Sequence, residues 1–159
     1  MAIRNMRFQD DEVLRKRCRP VDEVNDAVRR QLDDMMDTLH ATDNGAALAA
    51  PQVGILRRLV VIDYEGYYLK LVNPVIVEKE GEQECIEGCL SFPNVFGKTM
   101  RPMRVVVEAL NEMGESVRFD VTGDMAKCFC HEIDHLDGKL FVDEAVRMLT
   151  KEEIEELMG

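Results

Sequence analysis

Hydrophobic positions recur at two periods along this chain, and the period changes with position. Between Val24 and Thr42, the residues Val28, Leu32, Met35, Met36 and Leu39 stand three or four apart. That spacing gathers apolar side chains on one face and predicts an amphipathic N-terminal helix, ended by the Asn44-Gly45 breaker. From Leu59 the pattern shortens to that of strands. Leu59 to Tyr64 and Tyr68 to Val72 form a hairpin through Glu65-Gly66, and Val75 to Glu78 follows Asn73-Pro74. Arg104 to Leu110 and Ser116 to Val121 flank the turn Asn111-Glu112-Met113-Gly114 as a second hairpin. Helical spacing then returns, with Met125, Phe129, Ile133 and Leu136 buried between Thr122 as N-cap and Gly138 as stop. A last, acidic helix covers about Lys151 to Met158. The fold class is α+β: short antiparallel strands packed around one central helix, with an N-terminal helix before and a C-terminal helix after.

Composition narrows the function. Residues 1–159, 46% of them hydrophobic, make one domain with a sizeable core. The net charge of -11 repels phosphate backbones and anionic lipid, which argues against direct nucleic acid binding. No apolar run approaches the ~20 residues that span a bilayer, and Met1-Ala2-Ile3-Arg4-Asn5 lacks a signal-peptide core. A cytoplasmic protein is expected. Five cysteines without a disulfide-framework spacing fit the same reducing compartment.

The central helix carries the chemistry. At about 100° per residue, His131, Glu132 and His135 fall within one arc of about 100°, so the three side chains look into one space. Two imidazoles there can share a divalent ion, and Glu132 between them can take a proton from a metal-activated water. A catalytic site needs a third protein ligand and an open position. His40 lies in a polar helical stretch and reads as a surface histidine. Among Cys18, Cys85, Cys89, Cys128 and Cys130, the pair nearest the motif points elsewhere: relative to His131, Cys128 and Cys130 sit near ~60° and ~260°. Cys128 can at most line a pocket. Cys89 stands in Glu87-Gly88-Cys89-Leu90-Ser91, where a glycine permits close backbone approach and Pro93 ends the strand soon after. It is the natural third ligand.

These segments resemble the motifs of the peptide deformylases. Gly45-Ala46-Ala47-Leu48-Ala49-Ala50-Pro51-Gln52-Val53-Gly54 is similar to the first, Glu87-Gly88-Cys89-Leu90-Ser91 to the second, and His131-Glu132-Ile133-Asp134-His135-Leu136-Asp137-Gly138 to the third. Order and spacing agree, from Asp11-Glu12-Val13-Leu14-Arg15 to the Phe141 region. The resemblance implies a metal-dependent hydrolase of protein biosynthesis that removes the N-formyl group from the N-terminal methionine of new polypeptides and releases formate. Cys89, His131 and His135 would hold the metal, with Glu132 as general base and then acid. The Gln52 amide and the Leu90 backbone N–H would stabilise the oxyanion. Gly45 and Ala47 would line the substrate cleft, and Leu48 and Cys128 would wall the methionine pocket. Glu87, paired with Arg101, would anchor the Cys89 loop without touching substrate. The metal implied is Fe2+, with Zn2+, Ni2+ or Co2+ able to occupy the site. The partners implied are N-formyl-methionyl nascent chains.

Four features depart from the family pattern. Ala47 replaces a glycine; it costs about 1 kcal/mol if the backbone there needs positive φ, and otherwise only narrows the cleft. Cys130 stands where glutamine is common, which alters hydrogen bonding beside His131. Lys127 should carry its charge outward from the pocket mouth. Glu152, Glu153, Glu155 and Glu156 outnumber Lys151, so the last helix is not a basic ribosome-docking element; packing of Ile154 and Leu157 against the body is its expected role. Two rival functions share the helix motif: a zinc endopeptidase, and a peptide-binding relative without turnover.

Overall fold

Asn25 starts the first helix by accepting a hydrogen bond from the Val28 backbone N–H at 3.0 Å, which fixes its first residue at Asp26, two residues inside the expected start. The structure, a computed structural model, describes residues 2–43 and 45–158; Met1, Gly159 and Asn44, half of the expected breaker, lie outside them. In chain order the elements are α1 (Asp26–His40), β1 (Ala47–Ala49), β2 (Leu59–Tyr64), β3 (Tyr67–Glu80), β4 (Gln83–Cys89), β5 (Phe92–Arg101), β6 (Arg104–Leu110), β7 (Ser116–Thr122), α2 (Asp124–Leu136), α3 (Phe141–Glu144), β8 (Arg147–Met148) and α4 (Lys151–Met158). Two short 3-10 turns, Glu12–Arg15 and Ala50–Val53, complete them. Among the described residues no helix is long and apolar enough to cross a membrane.

The strands form two antiparallel sheets, β1-β2-β3-β6-β7 and β4-β5-β8. The five-stranded sheet is buried on both faces where it matters. Leu59 and Val61 of β2 pack with Val28, Leu32, Met35 and Leu39 of α1, while Val60 and Ile62 pack with Met125, Phe129 and Ile133 of α2. An unbroken apolar run such as Leu59–Ile62 is what a doubly covered strand requires. Alternation in β1 divides its residues the same way: Ala47 and Ala49 face α2, and Leu48 faces α1.

Three boundaries differ from expectation. β3 continues through Asn73-Pro74 instead of breaking there. The register shifts between Val72 and Val75, Asn73 takes φ +53°, and its carboxamide exchanges hydrogen bonds with the Val21 backbone N–H and carbonyl, both at 2.9 Å. The proline thus sits in a pinned bulge. Second, Thr122 belongs to β7, paired with Arg104, and the turn into α2 falls on Gly123 at φ +63°, ψ -130°. Only glycine enters that region readily. Third, β4 and β5 pair along Gln83–Arg101, a hairpin that hydrophobic alternation does not announce. The far end of α2 is clamped: Arg58 donates to the Leu136 carbonyl at 3.1 Å and meets Asp137 at 3.0 Å, placing a cation at the helix C-terminus.

Candidate active site

The β4–β5 hairpin lies across α2 and brings the second and third motifs together. Cys89 ends β4, Leu90 and Ser91 form the turn, and β5 begins at Phe92. At Gly88 the ring of Phe96 comes so close that a Cβ would lie 2.6 Å from it; a side chain there would force the Phe96 ring to move. Cys89, His131 and His135 offer ligand atoms within 4.8 Å of one another. Cys89 Sγ stands 3.4 Å from His135 Nε2, and the two imidazole centroids are 5.0 Å apart.

One carboxylate organises this cluster. Glu87, 3% exposed, accepts from Arg101 Nε at 2.6 Å and Nη2 at 2.9 Å, from His131 Nδ1 at 2.8 Å, and from the Thr99 hydroxyl. Arg101 also donates to Asp134 at 2.7 Å. Burial alone would raise the Glu87 pKa, but the hydrogen bonds from Arg101 and His131 hold it far below the usual carboxylate range. With Nδ1 given to Glu87, His131 turns Nε2 toward the cluster.

Gln52 enters from the opposite side. Its Oε1 accepts from the Ala49 backbone N–H at 2.9 Å, which aims Nε2 at Ser91 Oγ (3.2 Å) and Cys89 Sγ (3.4 Å). Glu132 is buried, and among the described residues its Oε1 has no hydrogen-bond partner; nor has His135 Nδ1. Burial raises the Glu132 pKa to about 7, partly offset by His131. At His131 burial opposes the cation, yet the hydrogen bonds with Cys89 and Glu87 raise its pKa well above 6.5. Burial and the nearby His131 keep His135 neutral. Two imidazoles and a thiol converging within 4.8 Å of one another fit a divalent metal ion.

A cleft of about 620 Å³ opens beside the cluster, lined among others by Gly45, Ala47, Gln52, Cys89, Leu90, Cys128, His131 and Glu132. Leu48 is a correction. It is fully buried against α1, on the face of β1 turned away from the cleft, because alternation sends neighbours to opposite sides. Tyr64 lines the cleft instead, beside Cys128 and Asp124, and the strand pattern alone did not single it out. Ala47 is extended within β1 and paired with Ile62, so its methyl narrows the cleft without backbone strain. Lys127 turns toward Asp124, 3.9 Å away, and does not line the cleft. Cys130 is buried in the α2 core, where desolvation pushes its thiol up to about 11.

A family model described as polypeptide deformylase matches residues 3–151. The chain belongs to the peptide deformylase family. It is 63% identical over 143 residues to peptide deformylase 2 of Clostridium acetobutylicum, covering 90% of this chain and 95% of that one. It is 51% identical over 155 residues to the peptide deformylase of Acetivibrio thermocellus, covering 98% and 91%. The crystal structure of the peptide deformylase from Thermotoga maritima superposes with a TM-score of 0.87 at 37% identity, covering 91% of this chain and 99% of that one. The α+β fold is that of the family, and the protein is a hydrolase that removes the N-formyl group from N-terminal formyl-methionine of nascent peptides. Members of the family depend on a metal, and the cluster of Cys89, His131 and His135 is the candidate site for it.

Proposed function

We propose that Cys89, His131 and His135 hold one divalent ion, Fe2+ in the cell, and that Glu132 carries the proton of the deformylation. The observation that carries this reading is the convergence of those three donors within 4.8 Å beside a buried carboxylate with a free oxygen. Imidazole and thiolate donors also suit Zn2+, Ni2+ and Co2+. The bound ion supplies Lewis acidity, lowering the pKa of a water and polarising the formyl carbonyl.

The protein's own groups do the rest. Glu132, poised near neutrality by burial, accepts the proton of the attacking water and returns it to the leaving amine. Gln52, its carboxamide locked by Ala49, and the Leu90 backbone N–H donate to the oxygen on which negative charge develops. The formyl carbon bears only hydrogen, so a tight pocket beside Gly45 and Gln52 would accept it and exclude larger acyl groups. Ala47, Tyr64 and Cys128 receive the methionine side chain. Glu87 and Arg101 position His131 and the Cys89 loop without touching substrate.

Residues 1–159 act as one catalytic domain in the cytoplasm, where formyl-methionyl chains emerge. The protein meets those chains near the ribosome without an α4 anchor, since four glutamates on α4 oppose docking on RNA phosphates. The test is a Glu132→Gln variant, prepared without oxygen and supplied with iron. Metal content should match the unsubstituted protein, while formate release from formyl-Met-Ala falls by about 10²–10⁴-fold. Undiminished release would overturn the role of Glu132, and cleavage of internal peptide bonds would favour an endopeptidase.

A further inference from the structure

The C-terminal helix ends in the peptide cleft. After α3 the chain runs along the outer edge of β5: Val146 N–H donates to the Lys98 carbonyl at 2.8 Å, Leu149 N–H to the Phe96 carbonyl at 2.9 Å, and β8 pairs with Gly97 and Lys98. From that edge α4 extends about 12 Å and brings Met158 to the cleft, which Pro93, Asn94 and Phe96 also line. Nothing in the core requires this. No residue of α4 is buried, and Leu157 and Met158 stand 50% and 65% exposed, so their apolar surface is not used for folding. The helix is nonetheless aimed. Thr150 caps it, exchanging hydrogen bonds with Glu153 at 3.0 and 3.2 Å, and the Glu153 carboxylate holds Arg147 of β8 through two contacts of 2.7 Å.

The cleft is also larger than its chemistry needs. At about 620 Å³ it has the size that buries a drug-sized ligand, more than a formyl-methionyl residue fills, and its lining includes Met158 of α4 and Phe96 of β5 besides Ala47, Tyr64 and Cys128. We propose that α4 is the outer wall of the cleft and that Met158, with Phe96 and Pro93, binds the apolar side chains of the residues that follow the substrate methionine. This rests on the reading that the cleft takes a formyl-methionyl N-terminus. Arg147 and Glu153 are positioning residues that aim α4. Unbranched, flexible methionine is suited to a surface that must meet many different side chains.

The experiment compares formyl-Met-Ala with formyl-Met-Leu-Phe. Met158→Ala should raise the KM for the longer peptide relative to the shorter one about three- to tenfold, without a matching fall in kcat, because contact kept from ground state to transition state acts on KM. Met158→Leu should restore the ratio, and Arg147→Gln should shift it in the same direction as Met158→Ala. The same ratio is read without turnover by calorimetric titration of both peptides onto Glu132→Gln and onto Glu132→Gln with Met158→Ala. An unaltered ratio in both assays overturns the proposal. A lower KM for the longer peptide also overturns it, showing instead that Met158 blocks the cleft. Failure of the underlying reading is separately visible, as no formate from the unsubstituted protein with either peptide; the titration ratio still decides the role of Met158.

Discussion

Replacing Glu87 by glutamine removes almost no volume and tests whether one carboxylate holds the site together. The carboxylate has four acceptor directions and uses all of them: two for Arg101, one for His131 Nδ1 and one for Thr99. A carboxamide keeps one oxygen. Its NH2 must face two donors, so two hydrogen bonds to charged or polarised partners are lost and donor meets donor. At about 1.5–3 kcal/mol each the loss is about 3–6 kcal/mol, and Arg101, 7% exposed, retains only Asp134 as a counter-charge. Unpairing a buried ion costs about 3–5 kcal/mol. Both routes agree, and at about 2–4 °C per kcal/mol for a domain of this size they predict a Tm lowered by about 6–24 °C. Freed from Glu87, His131 no longer has its tautomer fixed, so metal affinity measured by chelator competition should fall about 10–100-fold. Arg101→Met in the same background should recover part of the Tm, since it removes the unpaired cation. A Glu87→Gln variant with Tm within about 2 °C of the parent and unchanged metal affinity would refute the reasoning.

Two further outcomes follow from the same geometry. Stripping the metal with a chelator should lower Tm, because an ion that binds only the folded cluster, present at 1,000 times its Kd, stabilises by about 4 kcal/mol; calorimetry with and without added Fe2+ or Zn2+ under anaerobic conditions measures it, and no shift with either metal would argue against a folded-state site. Gly123→Ala should destabilise by about 1–3 kcal/mol, since φ is +63° there while nothing lies within 4 Å of the added methyl; denaturant unfolding that finds less than about 0.5 kcal/mol would show that the turn into α2 can relax.

The hydrophobic pattern revealed the parts of the molecule whose burial is apolar and missed those whose burial is polar. α1, β2, β6 and α2 announced themselves because their inward positions are Val, Leu, Ile, Met and Phe. In β4 and β5 the logic is inverted: Glu87, Thr99 and Arg101 point inward, while Ile86 and Met100 are 43% and 44% exposed. Alternation is present in both strands, but polarity no longer tells inside from outside, so the pairing of the two goes unannounced, and Pro93, expected to end a strand, sits within β5. The short motifs supplied what periodicity could not. His131, Glu132 and His135 needed only helical geometry to be grouped, and the Gly88-Cys89 context pointed to the third donor. Leu48 failed for a related reason: a motif gives residues in order, whereas the pleat decides which of two neighbours faces the cleft, and Ala47, not Leu48, does. Met158 was beyond reach of either signal, since an eight-residue helix with no buried face takes its direction from the Thr150 cap and the Arg147–Glu153 pair. Where a structure spends polar groups on positioning, sequence shows the groups and conceals their direction, as the Glu87–Arg101 network and the Arg147–Glu153 pair both illustrate.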